Sequence, residues 1–182
     1  MRKVEKIFIT AIKNRIAEIS VGSSSIRNQG APGLIKISRS FFKKIDLKKF
    51  RRKVQTTEYT AYLDNLTLEL LKEFPKKGRQ WGAARKGLNL FFREVSYNHY
   101  LAHYLDISSS YNENLVILKN LEVPLDKDVA TGLIECCDDL PKWKSIKSLT
   151  QEVHTSFQNK AKQYAEETNT ISVHLDLTFW RR

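Results

Sequence analysis

The sequence predicts an all-α protein, and three observations support this fold class. Apolar residues recur at helical spacing over most of the 182-residue chain, as they do in helices that pack against a core. Cap and turn signals separate these stretches, among them Ser23 to Ser25, the NQGAPG run at 28–33 and Pro75. The stretch ISVHLDLTFW (171–180) alternates like a strand, but the sequence offers it no second strand to pair with. We therefore expect helices throughout.

The individual helices follow from the apolar stripes and the signals that end them. The first stripe runs from Val4 to Ile19 and includes Ile7, Phe8 and Ile12, which we expect to face the core. A later stripe ends before Pro75, which cannot continue a helix. The acid- and serine-rich run at 106–114 is expected to be a loop. Helices are expected at 2–20, 34–42, 46–53, 57–74, 85–104, 115–120, after Pro124, and at 150–166.

Positive charge is concentrated towards the N-terminus. Residues 1–53 hold 15 Lys and Arg against 3 Asp and Glu, residues 54–93 hold 7 against 4, and residues 94–182 hold 9 against 13. The formal net charge of +11 therefore comes from the first half of the chain. Such a field attracts polyanions, and both nucleic acid and an anionic membrane surface fit it. A solvated basic surface is the structural alternative.

Cysteine content and hydropathy favour a reducing compartment. Cys136 and Cys137 are adjacent, which is too strained for an ordinary disulfide and lacks the spacing of a zinc or iron–sulfur site. No run of about 18 apolar residues is present, and Glu5, Lys6 and Lys13 interrupt the first helix where a signal peptide would be apolar. We expect a cytoplasmic, nucleoid-associated protein, or a nuclear one in a eukaryote, without a membrane contact.

Two short motifs carry the residues with the clearest chemical potential. GAARKGLN (82–89) has Lys86 near the start of a long apolar stretch, and EVPLDKDV (122–129) has Asp126 two residues after Pro124. A buried lysine amine is a carbon nucleophile, and a nearby carboxylate can stabilise a sugar with oxocarbenium character. Burial and the neighbouring Arg85 would favour loss of the lysine proton. Together, Lys86 and Asp126 could break the bond between a base and its deoxyribose.

These motifs resemble those of the helix-hairpin-helix superfamily of DNA glycosylases, in the branch that uses a lysine. Gly82 stands at the first glycine of that family's hairpin, and Arg85, Lys86 and Asn89 match their counterparts. Asp126 stands at the family's aspartate. The resemblance covers about residues 56–135.

The chain also departs from the family pattern. Ala84 replaces the second glycine of the hairpin, Trp81 replaces a proline, and Asp128 replaces a histidine. The spacer between the lysine and the aspartate is longer than usual. No four-cysteine cluster follows, which places the chain among members without an iron–sulfur cluster, and no cofactor or metal is expected.

The resemblance implies an all-α, two-lobed domain that contains a helix-hairpin-helix. Residues 1–182 would form one glycosylase-like domain, with a basic helical part at 1–55, the hairpin and active-site core at 56–135, and a C-terminal helical part at 136–182. Lys86 would attack C1′ of a damaged nucleotide in double-stranded DNA while Asp126 assists, and the target base would be flipped out of the stack. A monomer is expected.

Nucleic-acid contacts are predicted around the hairpin and in the basic N-terminal part. Helix N-termini and lysine or arginine side chains bind phosphates, and an aromatic ring at the hairpin could stack on an extruded base. Asn28, Gln29 and Gly30 lie in a loop whose composition is typical of segments that read bases or fill a gap in the duplex, although a simple turn is the favoured interpretation. The predicted contacts are Asn28, Gln29, Arg51, Arg52, Lys76, Lys77, Arg79, Trp81, Gly82, Ala84 and Arg85.

Each candidate also has a purely structural interpretation. Lys86 could be a solvated lysine in a first helical turn, Asp126 a helix N-cap, and Trp81 a packing residue. His99 and His103 have metal-ligand spacing, although paired structural histidines are the favoured interpretation. His174 and Asp176 would share a face if 171–180 were a strand. Two other functions stay open: a non-catalytic nucleic-acid-binding protein, and a small interaction module for an acidic partner.

Overall fold

The computed structural model describes residues 3–26, 29–106 and 115–180, and within these ranges the chain is helical and contains no strand. This confirms the all-α prediction. The α-helices are α1 (Lys3–Ile19), α2 (Ser23–Ile26), α3 (Leu34–Lys44), α4 (Leu47–Val54), α5 (Tyr59–Glu73), α6 (Trp81–Tyr97), α7 (His99–Tyr104), α8 (Leu115–Asn120), α9 (Lys127–Cys136), α10 (Gln151–Glu167) and α11 (Leu175–Thr178). Short 3-10 turns lie at Lys76–Gly78, Ile146–Ser148 and Ser172–His174.

Helix α6 is the central element of the fold. Its residues are buried without interruption from Gly82 to Phe92, which is typical of a helix surrounded by other helices. Phe91 stacks on Phe42 of α3 with ring centroids 4.9 Å apart, and Phe92 stacks on Phe50 of α4 at 4.3 Å. Because α6 is buried on all sides, the polar side chains that it carries must find partners inside the protein.

The buried apolar residues form two clusters. The larger cluster surrounds α6 and draws on α1 to α8 together with Ile171 and Val173. The smaller cluster joins α9, α10 and α11 and includes Leu133, Phe157 and Phe179. Residues 121–126 run from one cluster to the other, so Asp126 lies where the second cluster begins.

One expected helix has other bounds in the structure, and the strand-like stretch at 171–180 is not a strand. The helix expected at 85–104 begins at Trp81, ends at Tyr97 and restarts as α7, because the Asn98 side chain accepts a hydrogen bond from Leu101 N and caps a new helix. The strand-like stretch at 171–180 forms a 3-10 turn followed by α11. Its buried residues anchor these turns, while Leu177 and Trp180 are exposed.

The first helix is less buried than its apolar stripe predicts. Ile7 is 63% exposed, Phe8 48% and Ile19 50%, whereas Ile16 and Ala17 are buried. The N-terminal half of α1 contacts the short helix α7, where the Phe8 ring packs edge-on against Tyr100. Within the described ranges, no helix combines the length and the apolar character needed to cross a bilayer.

Candidate active site

Lys86 and Asp126 lie in direct contact, although 40 positions separate them in the sequence. Lys86 Nζ is 3.0 Å from Asp126 Oδ2. The lysine side chain is 6% exposed and the aspartate side chain 25% exposed, so the surface reaches this pair from the Asp126 side. The structure therefore brings together the two residues that the sequence nominated for catalysis.

Asp126 also serves as the N-cap of α9. Its Oδ1 accepts hydrogen bonds from Asp128 N at 3.0 Å and Val129 N at 3.1 Å, which satisfies two amides of the first turn. Oδ1 thus holds the helix while Oδ2 faces Lys86. Capping and contact with the lysine are separate tasks of one carboxylate, so the two interpretations of Asp126 are compatible.

The segment that leads to Asp126 is buried and clamped. Gln158 of α10 donates to Val123 O at 2.8 Å and accepts from Val123 N at 3.0 Å, as a neighbouring strand would. Ser172 Oγ donates to Leu121 O at 3.4 Å. Pro124 has no amide hydrogen that would need a buried partner. These contacts limit the positions that Asp126 can take relative to α6.

Arg85 lies inside the protein, not on a nucleic-acid surface. Its side chain is 2% exposed, and its Nε and Nη2 donate to the two carboxylate oxygens of Glu122 at 2.8 and 2.9 Å. Nη1 contacts Asp64 at 2.9 Å and donates to Thr67 at 3.0 Å. The Arg85 guanidinium is therefore bound to carboxylates inside the protein, which does not favour the predicted phosphate contact. Its charge is also neutralised by two carboxylates, which weakens the repulsion expected to act on Lys86.

Glu122 is the second anchor of this buried network. Asn89 Nδ2 donates to Glu122 Oε2 at 2.9 Å, and His154 Nε2 lies 3.4 Å from the same oxygen. Burial alone opposes ionisation of Glu122, but His154, Arg85 and Asn89 together lower the pKa of this carboxyl. Burial lowers the pKa of His154 to about 4, despite the nearby Glu122 carboxylate, so the imidazole is neutral at pH 7.

Trp81 packs inside the same network. Its ring lies 5.2 Å from the Arg85 guanidinium, and it meets His154 edge-on with centroids 5.0 Å apart. The ring is partly buried and contacts the smaller apolar cluster. These contacts support the packing interpretation of Trp81, whereas stacking on an extruded base stays a prediction.

The start of α6 is covered by the C-terminal part of the chain. Gly82 and Ala84 are buried, and a Cβ atom on Gly82 would collide with the carbonyl oxygen of Ile146 and approach Leu149. Ala84 N already donates to Gln80 O at 3.3 Å. Residues 146–149 therefore occupy the space beside Gly82, and the burial of Gly82 and Ala84 does not favour their predicted phosphate contacts.

Some of the remaining residues predicted to contact nucleic acid are exposed, and others make hydrogen bonds within the protein. Lys76, Lys77 and Arg52 are exposed. Arg79 is exposed too, but its guanidinium donates to Phe74 O and Lys72 O at the end of α5. Arg51 donates to Leu105 O at 2.5 Å and Asp106 O at 3.0 Å, and so ties α4 to the end of α7.

Residues 29–33 pack beside the loop at 75–80 that joins α5 to α6. Gly30 has a φ of 96° and lies so close to the Lys77 carbonyl that a side chain would not fit. Gln29 is partly buried, and Asn28 lies outside the described residues. Two loops that the sequence nominated separately are therefore neighbours, with Lys76 and Lys77 exposed beside them.

The histidine pairs do not form a metal site. His99 and His103 are exposed on α7, and no group of three or more His, Cys, Asp or Glu among the described residues is placed to hold a metal ion. Asp176 forms an ion pair with Arg93 of α6, and the His174 ring meets Tyr97 edge-on. Because 171–180 is not a strand, His174 and Asp176 do not share a strand face.

A groove of about 690 Å³ lies away from the Lys86–Asp126 pair, between α3, α4 and α5. Lysines of α3 and α4, including Lys44 and Lys49, line one side, and glutamates of α5, including Glu69 and Glu73, line the other. The mixed charges of its walls do not favour a polyanion. Its position gives it no access to the two nominated catalytic residues.

Sequence reasoning missed the partners that hold the site. Glu122, Asn89, His154 and Gln158 were not assigned this role, although all four side chains are buried. One signal was available: Glu122 is a lone charge within the run LEVPL, and a charge in an apolar run needs a buried partner.

Comparison of the chain with protein-family models, curated proteins and solved structures gives no match.

Proposed function

We propose that this chain is a DNA glycosylase with AP lyase activity, in which Lys86 attacks C1′ of a damaged or modified nucleotide and Asp126 assists. The observation that carries this proposal is the 3.0 Å contact between Lys86 Nζ and Asp126 Oδ2. In a functional lysine–carboxylate pair, the two groups must face one another at an accessible point. The two groups face one another, and because Lys86 is buried behind the partly exposed Asp126, a nucleotide would reach the pair from the Asp126 side.

The proposed chemistry uses only these two side chains and water. Lys86 passes a proton to Asp126 and attacks C1′, and the electron pair of the C1′–N bond leaves with the base, which takes that proton from Asp126. A second amine proton moves through Asp126 to O4′ as the C1′–O4′ bond breaks, which opens the sugar ring and leaves a protonated imine between Lys86 and C1′. Loss of a C2′ proton then expels the 3′ phosphate, and hydrolysis of the imine releases the lysine. Asp126 stabilises positive charge at the sugar and accepts or returns protons.

The surrounding fold supports this proposal in two respects. α5, residues 74–80 and α6 form a helix–loop–helix unit, which we assign as the hairpin of a two-lobed glycosylase-like fold. The exposed Lys76 and Lys77 lie in its loop, beside residues 29–33. We infer that these lysines, with Arg52, contact the phosphates of double-stranded DNA through long-range and direct attraction.

Borohydride trapping on a duplex with one abasic site tests the proposal. The wild-type protein is expected to form a covalent adduct with the DNA, because borohydride reduces the imine to a stable amine. Lys86→Gln removes the nucleophile and should abolish the adduct. Asp126→Asn keeps an N-cap for α9 and removes the carboxylate, so we expect adduct formation at least 10-fold slower, with thermal stability measured on each variant.

Lys162→Gln is the matched control, because Lys162 is an exposed lysine of α10. This variant should form adduct at the wild-type rate. An adduct that persists in Lys86→Gln would show that another amine reacts, and it would remove Lys86 from the mechanism. If the wild-type protein forms no adduct but binds DNA with a steep dependence on salt, the chain is a non-catalytic nucleic-acid-binding protein. A panel of duplexes with single modified bases then identifies the excised base.

A further inference from the structure

We propose that a second surface, the basic groove, binds the phosphodiester backbone of a nucleic-acid strand beside Asp126. The basic groove has a volume of about 500 Å³ and lies between α9 and the loop that follows it. Lys127, Lys142 and Lys144 line it, with Thr131, Ile134 and Trp143. This assignment rests on the proposed function, since it takes nucleic acid as the partner.

The charge of the basic groove is unexpected from the sequence. Residues 94–182 are acidic overall, with 9 Lys and Arg against 13 Asp and Glu. Three of those nine cations nevertheless line this groove, against one acidic residue in its lining, Glu135. All three lysine side chains are exposed. A local concentration of lysines within an acidic half points to an anionic ligand more specifically than a general surplus of charge does.

The position of the basic groove links it to the candidate catalytic pair. Lys127 follows Asp126 directly and begins α9. The loop with Lys142 and Lys144 continues into residues 146–149, which cover Gly82 at the start of α6. The groove is thus bounded by α9, which Asp126 caps, and by the loop that continues into the residues covering α6. A strand whose phosphates lie here would run along α9, whose first residue follows Asp126.

The loop of the basic groove is anchored. The Trp143 ring meets Phe157 edge-on, with centroids 5.8 Å apart, and packs against the smaller apolar cluster. Ser145 caps the following 3-10 turn by accepting from Ser148 N. The backbone that carries Lys142 and Lys144 is therefore held in place, which reduces the entropy lost when the lysines bind. The lysines of the basic groove are free to contact phosphates, whereas the backbone amides of Gly82 and Ala84 are covered.

Salt-dependent binding of DNA tests this assignment without any covalent step. The probe is a fluorescein-labelled duplex with one tetrahydrofuran abasic analogue, and its anisotropy is measured from low to moderate salt. The groove variant is Lys127→Gln, Lys142→Gln and Lys144→Gln combined. The matched control, Lys36→Gln, Lys72→Gln and Lys162→Gln combined, removes the same charge from exposed lysines of α3, α5 and α10.

We expect the groove variant to bind about 10- to 100-fold more weakly than the wild-type protein. The slope of log affinity against log salt should be smaller by roughly 2 to 3, since each phosphate contact contributes about 0.9. The control should stay within about 3-fold of the wild-type affinity. Equal losses in both variants would show that net charge alone attracts DNA, and would overturn the assignment of the groove.

Failure of this inference is distinguishable from failure of the proposed function. If the wild-type protein forms no borohydride adduct, but DNA affinity and its salt dependence fall in the groove variant and not in the control, the basic groove is supported and the enzymatic function is not. If the wild-type protein forms the adduct and the groove variant binds DNA as tightly as the wild type, the enzymatic function is supported and the assignment of the groove is overturned. No measurable binding of the duplex by the wild-type protein at low salt would remove both.

Discussion

Arg85 and Lys86 are adjacent cations of α6 with opposite surroundings. Arg85 is enclosed by Glu122, Asp64 and Thr67, and its fork shape matches the Glu122 carboxylate at both oxygens. Lys86 has one charged contact at 3.0 Å, with Asp126, which is itself partly exposed. Arg85 therefore connects α6 to α5 and to Glu122, while Lys86 lies between the protein interior and the partly exposed Asp126.

His154 makes stability depend on pH in a defined window. Burial lowers its pKa from 6.5 to about 4, so below pH 6.5 the unfolded chain binds a proton that the folded chain excludes. The free energy of unfolding should therefore fall as the pH falls from 6.5 to 4, by roughly 3 kcal/mol. Urea unfolding at several pH values measures this dependence.

His154→Gln should weaken the dependence between pH 6.5 and 5, because glutamine does not titrate. Burial also lowers the pKa of His174, so a smaller dependence should remain. Glu122 acts in a lower window: its pKa is lowered in the folded state, so its contribution is lost only as the pH falls below 4.5 and through that lowered value. His103→Gln is the control, since His103 is exposed on α7. A wild-type protein of constant stability between pH 6.5 and 5 would contradict the assignment.

At the residue scale, the sequence predicted the role of a residue best where the chemistry of its side chain permits few roles. It nominated Lys86 and Asp126 because an amine and a carboxylate have recognisable chemistry, and the structure brings them into contact. It did not reveal that Arg85 is buried, because an arginine beside a candidate lysine is equally compatible with binding a phosphate or a buried carboxylate. The packing of α5 and of residues 121–126 against α6 supplies the buried partners of Arg85.

At the scale of elements, the start of α6 depends on contacts that are remote in sequence. Gly82 has no side chain, and residues 146–149 pack directly against its backbone. Apolar periodicity does not reveal a contact between residues so far apart in the sequence. From periodicity alone, the helix was expected to begin at Arg85 and to extend to residue 104. Most helices of the first 75 residues were easier to predict, because caps and turns such as Asp46 and Pro75 delimit them locally. The exception is α2 (Ser23–Ile26), which forms where only a turn was expected.

Gly82→Ala tests how closely the two elements pack. An added Cβ would collide with the Ile146 carbonyl, which belongs to the backbone and cannot rotate away. We expect a loss of about 1 to 3 kcal/mol in the free energy of unfolding, although alanine is a better helix former than glycine. Chemical denaturation followed by circular dichroism measures the change.

Gly22→Ala is the matched control for this substitution. No heavy atom lies within 4 Å of a Cβ at Gly22, so the same methyl group should leave stability within about 0.5 kcal/mol. The prediction would be wrong if Gly82→Ala matched the wild-type stability. Borohydride trapping on Gly82→Ala would also show whether displacement of residues 146–149 disturbs Lys86, which lies one turn further along α6.

At the scale of the whole molecule, the candidate site occupies the junction of two apolar clusters. Lys86 belongs to the helix at the centre of the larger cluster, and Asp126 begins the helix that opens the smaller one. The Arg85–Glu122 pair and the Gln158–Val123 hydrogen bonds cross the same junction. The clusters are thus joined by these polar contacts as well as by the packing of Trp81 and Leu149, so the geometry of the pair depends on both clusters being folded.

This arrangement predicts one cooperative unfolding transition for both clusters. Leu63 of the larger cluster and Leu133 of the smaller one are both fully buried. Leu63→Ala and Leu133→Ala should each lower the free energy of unfolding by about 2 to 5 kcal/mol. Because the buried ion pairs at the junction lose their partners if one cluster opens alone, the other cluster should unfold at the same denaturant concentration.

Two probes of unfolding distinguish a shared transition from separate ones. Far-UV circular dichroism reports all helices, whereas tryptophan fluorescence is weighted towards Trp81 and Trp143, which pack on the smaller cluster. In both leucine variants the two signals should change together. If Leu133→Ala shifts the fluorescence transition to lower urea while the dichroism keeps a second, wild-type transition, the clusters fold independently. The Lys86–Asp126 contact would then be a docking contact between two units, and adduct formation should disappear at the urea concentration of the fluorescence transition.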